Sequence, residues 1–264
     1  MKKRLIPTLS IFIIIISFNS CSLLPFFHHS VEYFRDNANF KWITDTSKHF
    51  QYYFEKGSLA AKNIETMKKR AEADLLKCLA IIGKKEYNEK MYYFFVKDKN
   101  RIILLTGTDA NACTFTNSKI ICATLNDSVR AIGCHEIFHV LSWNEWGPPD
   151  NYWLSDGYAV FADNNWWGYD LHAISKYIYQ KGKWISLTEL TSNFNSYSSL
   201  INYPEAGSLV KYIYEKYGPE KAKKFWEDGI SKTDRILGIS IETLEKEWIA
   251  EIQKSDSREI NYPI

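Results

Sequence analysis

The segment that most constrains this chain is a helical stretch, 127–143, that is apolar on nearly every side and contains "CHEIFHVLSW" at 134–143. A helix that is apolar all round is a buried helix. At about 100° per residue, His135 and His139 project about 40° apart on one face, with Glu136 beside them. Three polar side chains are therefore expected inside the protein, where they need partners.

The H-E-x-x-H spacing is typical of a zinc site, in which two imidazoles on one helix face bind the metal and the glutamate acts as general base. The alternative is that both histidines are core residues with their own hydrogen-bond partners, since a short motif can arise by chance. A second segment, "YWLSDGYAVFADNNWW" at 152–167, favours the metal site. It also predicts a helix, and it supplies the carboxylates of Asp156 and Asp163.

At these residues the chain resembles the gluzincins, the zinc metallopeptidases of the MA clan. Their motif helix is followed by a helix reading W-L-x-E-G-x-A, in which the glutamate is the third zinc ligand. "WLSDGYA" matches this pattern with Asp156 at the ligand position. Aspartate is one methylene shorter, but its oxygen is an ordinary zinc ligand. We expect Gly157 to let the two helices approach closely, and Asp163 is the rival third ligand.

A metzincin site is excluded, because that layout requires Gly at 142 and His at 145, where this chain has Ser142 and Glu145. The gluzincin resemblance extends to "YPEAGSLVKYIYEKYGPEKAKKFW" (203–226) and "GISIETLEKEWIAEI" (238–252), and it covers about residues 48–252 in all. These segments are similar to the helices that follow the zinc site in peptidase MA-like lipoproteins and hydrolases.

The resemblance implies a zincin-like, two-lobe α+β fold and a peptide or protein substrate. It implies one Zn²⁺ held by His135, His139 and Asp156, with Glu136 as general base. It also implies a tyrosine that stabilises the tetrahedral intermediate, for which Tyr203 is the candidate and Tyr158 a weaker one. Each metal-binding imidazole needs an acceptor for the N–H on its other ring nitrogen, and the candidates Asp163, Glu145 and Asp150 are left open.

The order of elements predicts an N-terminal α+β lobe with a small twisted sheet (47–125), a helical C-terminal lobe (126–264) that carries the metal site, and the motif helix between them. Strands are expected in "KHFQYYFEKG" and "KMYYFFVKD", and a hairpin at 113–116 and 119–124. Ser58 can cap a helix that runs to about Ile82, where Gly83 ends it. Residues 21–46 are interpreted as a tether and lead-in.

The N-terminus, "MKKRLIPTLSIFIIIISFNSCS", has cations followed by an apolar run and small residues, the order of a secretory signal peptide over residues 1–20. Cys21 then resembles the lipidated cysteine of bacterial lipoproteins, although Phe18 and Asn19 depart from the usual pattern. We expect an exported protein anchored to a membrane of the bacterial cell envelope, on its periplasmic or surface side, through this lipid.

Export permits disulfides, and four cysteines remain after Cys21. The segment "CTFTNSKIIC" is predicted to form a hairpin turning at Asn117-Ser118, which sets Cys113 opposite Cys122. Counted outward from that turn, the pair falls at a non-hydrogen-bonded position with Cα atoms about 4.5 Å apart, close enough to bridge. Cys113–Cys122 is therefore the disulfide candidate.

The charge balance excludes nucleic acid as a partner, because 33 Lys and Arg offset 31 Asp and Glu and no long run of either sign occurs. An alternative to the peptidase is a non-catalytic lipoprotein that binds a peptide or glycan, with the Asp-for-Glu change weakening metal binding. Nine tryptophans are compatible with such a ligand platform, although most are expected in the core. An intact Glu136 favours catalysis, since a binding protein needs no general base.

Overall fold

The computed structural model describes residues 29–129 and 131–264. Five strands form one mixed sheet in the order β1-β2-β3-β5-β4. β2, β3 and β5 run parallel, and the edge strands β1 and β4 run antiparallel to their neighbours. The strands are β1 Trp42–Thr46, β2 Phe50–Glu55, β3 Met91–Val96, β4 Ala112–Phe115 and β5 Ile120–Thr124.

Helices make up most of the rest of the described chain, and after β5 no strand of the sheet follows within it, so the α+β class is confirmed. The helices of the first half are α1 Val31–Arg35, α2 Leu59–Ile82 and α3 Lys99–Thr106. Those of the second half are α4 Cys134–Glu145, α5 Tyr152–Asp163, α6 Leu171–Gln180, α7 Leu187–Asn193, α8 Ser199–Tyr217, α9 Pro219–Asp228, α10 Thr233–Leu237 and α11 Ile241–Ile252.

The ends of α2 follow the sequence signals. The Ser58 hydroxyl accepts the Ala61 N–H at 3.2 Å, and Gly83 closes the helix in the left-handed conformation, with φ 84°. Glycine adopts that conformation without the steric penalty of a Cβ. Both predicted caps are confirmed.

The two faces of the sheet pack against different helices because successive strand residues point to opposite sides. On β3, Tyr93 and Phe95 belong to the large core that contains α2, α4, α5 and α8, whereas Phe94 packs with α1 and α3. The large core runs from β2 to α11, so both predicted lobes share it. On β4 the same alternation puts Cys113 in the smaller core.

The motif helix α4 begins at Cys134, seven residues later than the sequence pattern indicates. The Asn126 side chain accepts the N–H groups of Ser128 and Val129 at 2.9 and 2.7 Å, which holds a turn there instead of a helix. Ala131 N–H then donates to Thr124 O at 3.2 Å, next to the end of β5. Local side-chain bonding therefore overrides the apolar pattern in this segment.

The β4–β5 register pairs Cys113 with Cys122, as predicted, but the pair is not at a non-hydrogen-bonded position. Thr124 N–H donates to Asn111 O at 2.8 Å, and counting along the ladder from that bond makes Cys113 and Cys122 a hydrogen-bonded pair. The turn is a 3₁₀ segment, Thr116–Ser118, rather than a two-residue turn. Cα atoms of such pairs lie about 5.5 Å apart, which still permits a bridge. Both cysteines are present as thiols, so the disulfide stays a prediction.

The predicted tether contains regular structure in its described part. Residues 29–46 include α1 and the edge strand β1, which pairs with β2. The signal peptide at 1–20 and the lipidation site Cys21 lie outside the described residues. Within the described ranges, none of the helices combines the length and the apolar composition needed to cross a membrane.

Two glycines allow α5 and α8 to pack closely. A Cβ added at Gly157 would lie 3.1 Å from Ala206 O, and a Cβ added at Gly207 would collide with the Val160 side chain. The sequence led us to expect that Gly157 brings α5 close to α4. That expectation was wrong, because Gly157 faces α8.

Candidate metal centre

Three side chains of α4 and α5 that could hold a metal ion converge in the protein interior. The ligand atoms of His135, His139 and Asp156 all lie within 4.8 Å of one another. The two imidazole rings are nearly perpendicular, with their Nε2 atoms 3.2 Å apart, and His139 Nε2 lies 3.6 Å from Asp156 Oδ1. The structure therefore brings together the three residues that the sequence predicts as ligands.

The ring of His139 is oriented by a serine that the sequence analysis missed. His139 Nδ1 lies 2.9 Å from Ser155 Oγ, which also accepts the indole N–H of Trp143 at 3.2 Å. If Nδ1 carries the ring proton and donates to the second lone pair of Ser155, Nε2 is left with a free lone pair. Ser155 directly precedes Asp156 on α5, and this position next to a predicted ligand is the signal that could have identified Ser155.

Asp163, the rival third ligand, accepts backbone N–H groups at the start of α4. Its Oδ1 accepts the Cys134 N–H at 2.6 Å, and its carboxylate also accepts the His135 N–H. α4 has no N-cap side chain of its own, since Gly133 occupies that position. A Cβ at Gly133 would lie 2.6 Å from Asp163 Oδ1, so glycine makes room for this cap. Asp163 therefore satisfies the first turn of the motif helix from α5.

The other two acidic candidates for supporting the imidazoles also have different contacts. Glu145 pairs with Lys84, which follows the end of α2. Asp150 lies against Gly229, and its backbone N–H donates to Trp226 O at 2.9 Å. Ser155, by contrast, contacts a ring nitrogen of His139 directly.

Burial keeps both imidazoles neutral. Desolvation lowers the pKa of His135 to about 4, although part of the residue remains exposed. Burial, and then the neighbouring charge of His135, hold the pKa of His139 well below its usual range. Neutral imidazoles have the lone pairs that metal coordination requires. The two histidines thus offer neutral ring nitrogens, and Asp156 adds an oxygen donor beside them.

Glu136 lies beside the cluster, on the side of the sheet. The Thr114 hydroxyl, on the edge strand β4, donates to Glu136 Oε2 at 2.5 Å. Burial raises the pKa of Glu136 to about 8, and the Thr114 hydrogen bond opposes that rise. A nearby divalent cation would favour the ionised form. The residue therefore has the ability to exchange a proton near neutral pH.

A cleft of about 290 Å³ opens beside Asp156. Its walls come from the start of α5, from α7 and from the 3₁₀ turn Phe194–Ser196. Asn202 of α8 fixes that turn, since its side-chain amide donates to Phe194 O at 2.7 Å and the residue is 2% exposed. Apart from Asp156, the lining carries no charged side chain and is rich in amides and hydroxyls: Asn151, Thr191, Ser192, Asn193, Asn195 and Ser196.

Tyr203, the candidate for stabilising the intermediate, lies next to a wall of this cleft. Its ring packs 5.5 Å from the ring of Phe194 and 5.5 Å from that of Trp166. Tyr158, the weaker candidate, is fully buried and donates to Ala222 O at 2.5 Å, so its hydroxyl serves the packing of α5 against α9.

The segment of α8 that carries Tyr203 is tied to the C-terminal part of the chain. Pro204 has no N–H to donate to Leu200 O, the acceptor four residues earlier in the helix. The Tyr262 hydroxyl donates to that carbonyl instead, at 2.8 Å. Tyr262 in turn accepts the indole N–H of Trp166 at 2.7 Å.

Comparison with known proteins adds no family to these observations. No protein-family model matches the sequence, and no curated protein matches it either. The interpretation of the site therefore rests on its residues and their geometry.

Proposed function

We propose that the protein is a zinc-dependent peptidase of gluzincin type. The observation that carries the proposal is the convergence of three donor atoms within 4.8 Å of one another, with two of the separations close to those of a tetrahedral zinc site. Two ligand atoms held at about 2.0–2.1 Å from a tetrahedral zinc lie about 3.3–3.4 Å apart. The Nε2–Nε2 distance of 3.2 Å and the Nε2–Oδ1 distance of 3.6 Å lie on either side of that value.

The chemistry of the donors also fits zinc. Two neutral imidazoles and one carboxylate are the ligands of a catalytic rather than a structural zinc site, because they leave a fourth position open. His135, His139 and Asp156 would hold the ion. A zinc ion bound there would lower the pKa of a bound water to about 7 and would polarise a scissile carbonyl.

Glu136 is the general base in this proposal. Its carboxylate removes a proton from the attacking water and returns a proton to the leaving amine. Thr114 restrains one carboxylate oxygen, so the other can face the water. Tyr203 is proposed to donate to the oxyanion of the tetrahedral intermediate, as in the family that the motifs resemble.

Peptide substrates fit the surroundings of the site. β4 is an edge strand of the described sheet, and an extended peptide can add to such an edge through backbone hydrogen bonds. Thr114 belongs to this strand and contacts Glu136, so a peptide paired along β4 would run past the general base. The cleft beside Asp156 is then available to a substrate side chain.

We further propose that the protein acts in the bacterial cell envelope, anchored through lipid on Cys21. This part of the proposal is supported by the N-terminal sequence: the cationic start, the apolar run and the cysteine that follows it.

The test combines metal content with turnover. Wild-type protein and Glu136→Gln are purified without chelator, analysed for metal by elemental mass spectrometry, and incubated with a mixture of fluorogenic peptides. We expect about one zinc per chain in both, and cleavage by wild type only. Wild type that binds no zinc, even when zinc is supplied, contradicts the proposal. Wild type that binds zinc and peptides without cleaving them favours the binding lipoprotein instead.

A further inference from the structure

Four buried cysteines lie in two pairs in the described part of the chain. Cys113 and Cys122 are register partners on β4 and β5. Cys78 belongs to α2 and Cys134 is the first residue of α4, and their exposed fractions are 0% and 2%. Four cysteines can pair in three ways. The fold places together the cysteine pairs of one of these three connectivities.

Cys78 and Cys134 are in direct contact. The Cys78 thiol donates to Cys134 O at 3.5 Å, and the two thiols also hydrogen-bond to each other. The Cys134 thiol lies 3.8 Å from Asp74 O, one turn before Cys78 on α2. Cys134 is thus packed onto the turn of α2 that carries Cys78. Disulfides form where Cβ atoms lie about 3.5–4.5 Å apart, and two thiols in contact are close to that arrangement.

We propose that Cys78 and Cys134 form a disulfide that fastens α2 to the first turn of α4 when the protein folds in an oxidising environment. The proposal does not depend on peptidase activity. The oxidant is a small-molecule or protein disulfide, for which oxidised glutathione serves as the probe. One cysteine thiolate attacks that disulfide and releases one glutathione thiolate. The second cysteine thiolate attacks the mixed disulfide, forms the Cys78–Cys134 bond and releases the second. Two protein thiols are thereby oxidised and one glutathione disulfide is reduced.

The bond would act directly on the candidate metal centre. Cys134 precedes His135, in a helix start that has no side-chain cap of its own. Asp163 already holds this turn from α5. A bond to α2 would hold it from the opposite neighbour and would join residues 56 positions apart in sequence. Linking distant residues restricts the unfolded chain and stabilises the folded one.

Peptide mapping tests the bond. The full chain carries Cys21→Ser, so that only the four cysteines of the two pairs remain, and is kept in non-ionic detergent. It is reduced and unfolded in guanidinium, then refolded with zinc and a mixture of reduced and oxidised glutathione. Remaining thiols are alkylated before trypsin digestion. Cleavage after Lys and Arg places the four cysteines on separate peptides, 78–84, 102–119, 120–130 and 131–176.

We expect a linked species of peptides 78–84 and 131–176 that disappears on reduction. Alkylated Cys78 and Cys134, or a link from either to a different cysteine, would overturn the proposal. In Cys78→Ser, Cys134 should be recovered alkylated or glutathionylated. The matched control, Cys113→Ser, should keep the 78–84 to 131–176 link. A link that persists between 131–176 and another peptide in Cys78→Ser would assign Cys134 to a different bond and overturn the pairing.

Thermal unfolding tests the fastening. Reduction should lower the Tm of the Cys113→Ser chain, which retains only the proposed bond, by about 5 °C or more. Cys78→Ser combined with Cys113→Ser should show no such drop. A drop of less than about 1 °C in the first chain would overturn the claim that the bond fastens α4.

Discussion

Two buried histidines in the helical half of the protein are held in the same way and face different surroundings. His139 contacts the Ser155 hydroxyl at 2.9 Å, and His172 of α6 contacts the Ser208 hydroxyl of α8 at 2.8 Å. Each serine oxygen also accepts an indole N–H, which comes from Trp248 at 3.0 Å in the second case. A tryptophan, a serine and one imidazole nitrogen form the same arrangement twice.

The difference lies at the other imidazole nitrogen. His139 Nε2 faces a second imidazole and a carboxylate, Asp156, that is 1% exposed. His172 Nε2 is 3.9 Å from Glu215, whose side chain is 54% exposed, and it belongs to no group of potential metal ligands among the described residues. The Trp–Ser–His arrangement is therefore a way to bury a histidine. Metal chemistry requires, in addition, the second imidazole and the buried carboxylate.

The largest expected effect separates the two histidines directly. His139→Ala should reduce bound zinc from about one per chain to less than a tenth, because one of three protein ligands is lost. His172→Ala should keep its zinc and lose only stability, about 1–3 kcal/mol, since it leaves the Ser208 hydroxyl short of a partner. Elemental mass spectrometry after dialysis measures the first effect and urea unfolding the second. Equal zinc loss in both variants would break the comparison.

Without added metal, acid should destabilise the protein through the two histidines of the candidate metal site. Burial lowers the pKa of His135 from 6.5 to about 4, so the unfolded chain binds a proton there at a pH where the folded chain does not. Stability therefore falls as pH decreases from about 6.5 to about 4, by roughly 3 kcal/mol from this residue. Urea unfolding across that range should show the slope. A His135→Asn chain should show a shallower one, and identical slopes would contradict the burial of a neutral imidazole.

Tyr203→Phe tests the role proposed for the tyrosine beside the candidate metal centre. We expect kcat to fall by about 100-fold or more with zinc content unchanged, because a donor to the oxyanion is removed. Tyr158→Phe is the matched control. Its hydroxyl donates to a buried backbone carbonyl, so the free energy of unfolding should fall while kcat of the folded protein is retained. Unchanged turnover in Tyr203→Phe would remove Tyr203 from the mechanism.

The smallest expected effect concerns the serine that contacts each histidine, Ser155 beside His139 and Ser208 beside His172. Ser155→Ala should weaken zinc binding by about 10–100-fold, since the His139 ring loses the group that orients it. Ser208→Ala should leave zinc affinity unchanged. Competition with a chromogenic chelator measures both. A zinc affinity in Ser155→Ala equal to that of wild type would mean that the Ser155 hydroxyl only satisfies buried polar groups, as Ser208 does beside His172.

Local signals in the sequence predicted the elements that depend on nearby residues. The caps of α2 and the pairing of Cys113 with Cys122 belong to this group. The contact of Asp156 with His139 was expected from the family resemblance of "WLSDGYA", which placed Asp156 rather than Asp163 at the ligand position.

The supporting contacts could not be predicted, because they depend on how separate elements pack. Thr114 reaches Glu136 across 22 positions and Asp163 reaches Cys134 across 29. Nothing local to either residue indicates its partner. The helix start at Cys134 was missed for the opposite reason, since a short-range turn at Asn126 outweighed a long apolar pattern.

The bond between Tyr262 and Leu200 joins residues 62 positions apart and occupies the carbonyl that Pro204 leaves without a helical partner. During synthesis, the chain is made from its N-terminus, so His139 and Asp156 are present well before Tyr262. The α8 segment beside the cleft therefore acquires its full set of hydrogen bonds only after Tyr262 has been made. In biosynthetic terms, the three candidate metal ligands are available early, whereas the segment that carries Tyr203 is completed late.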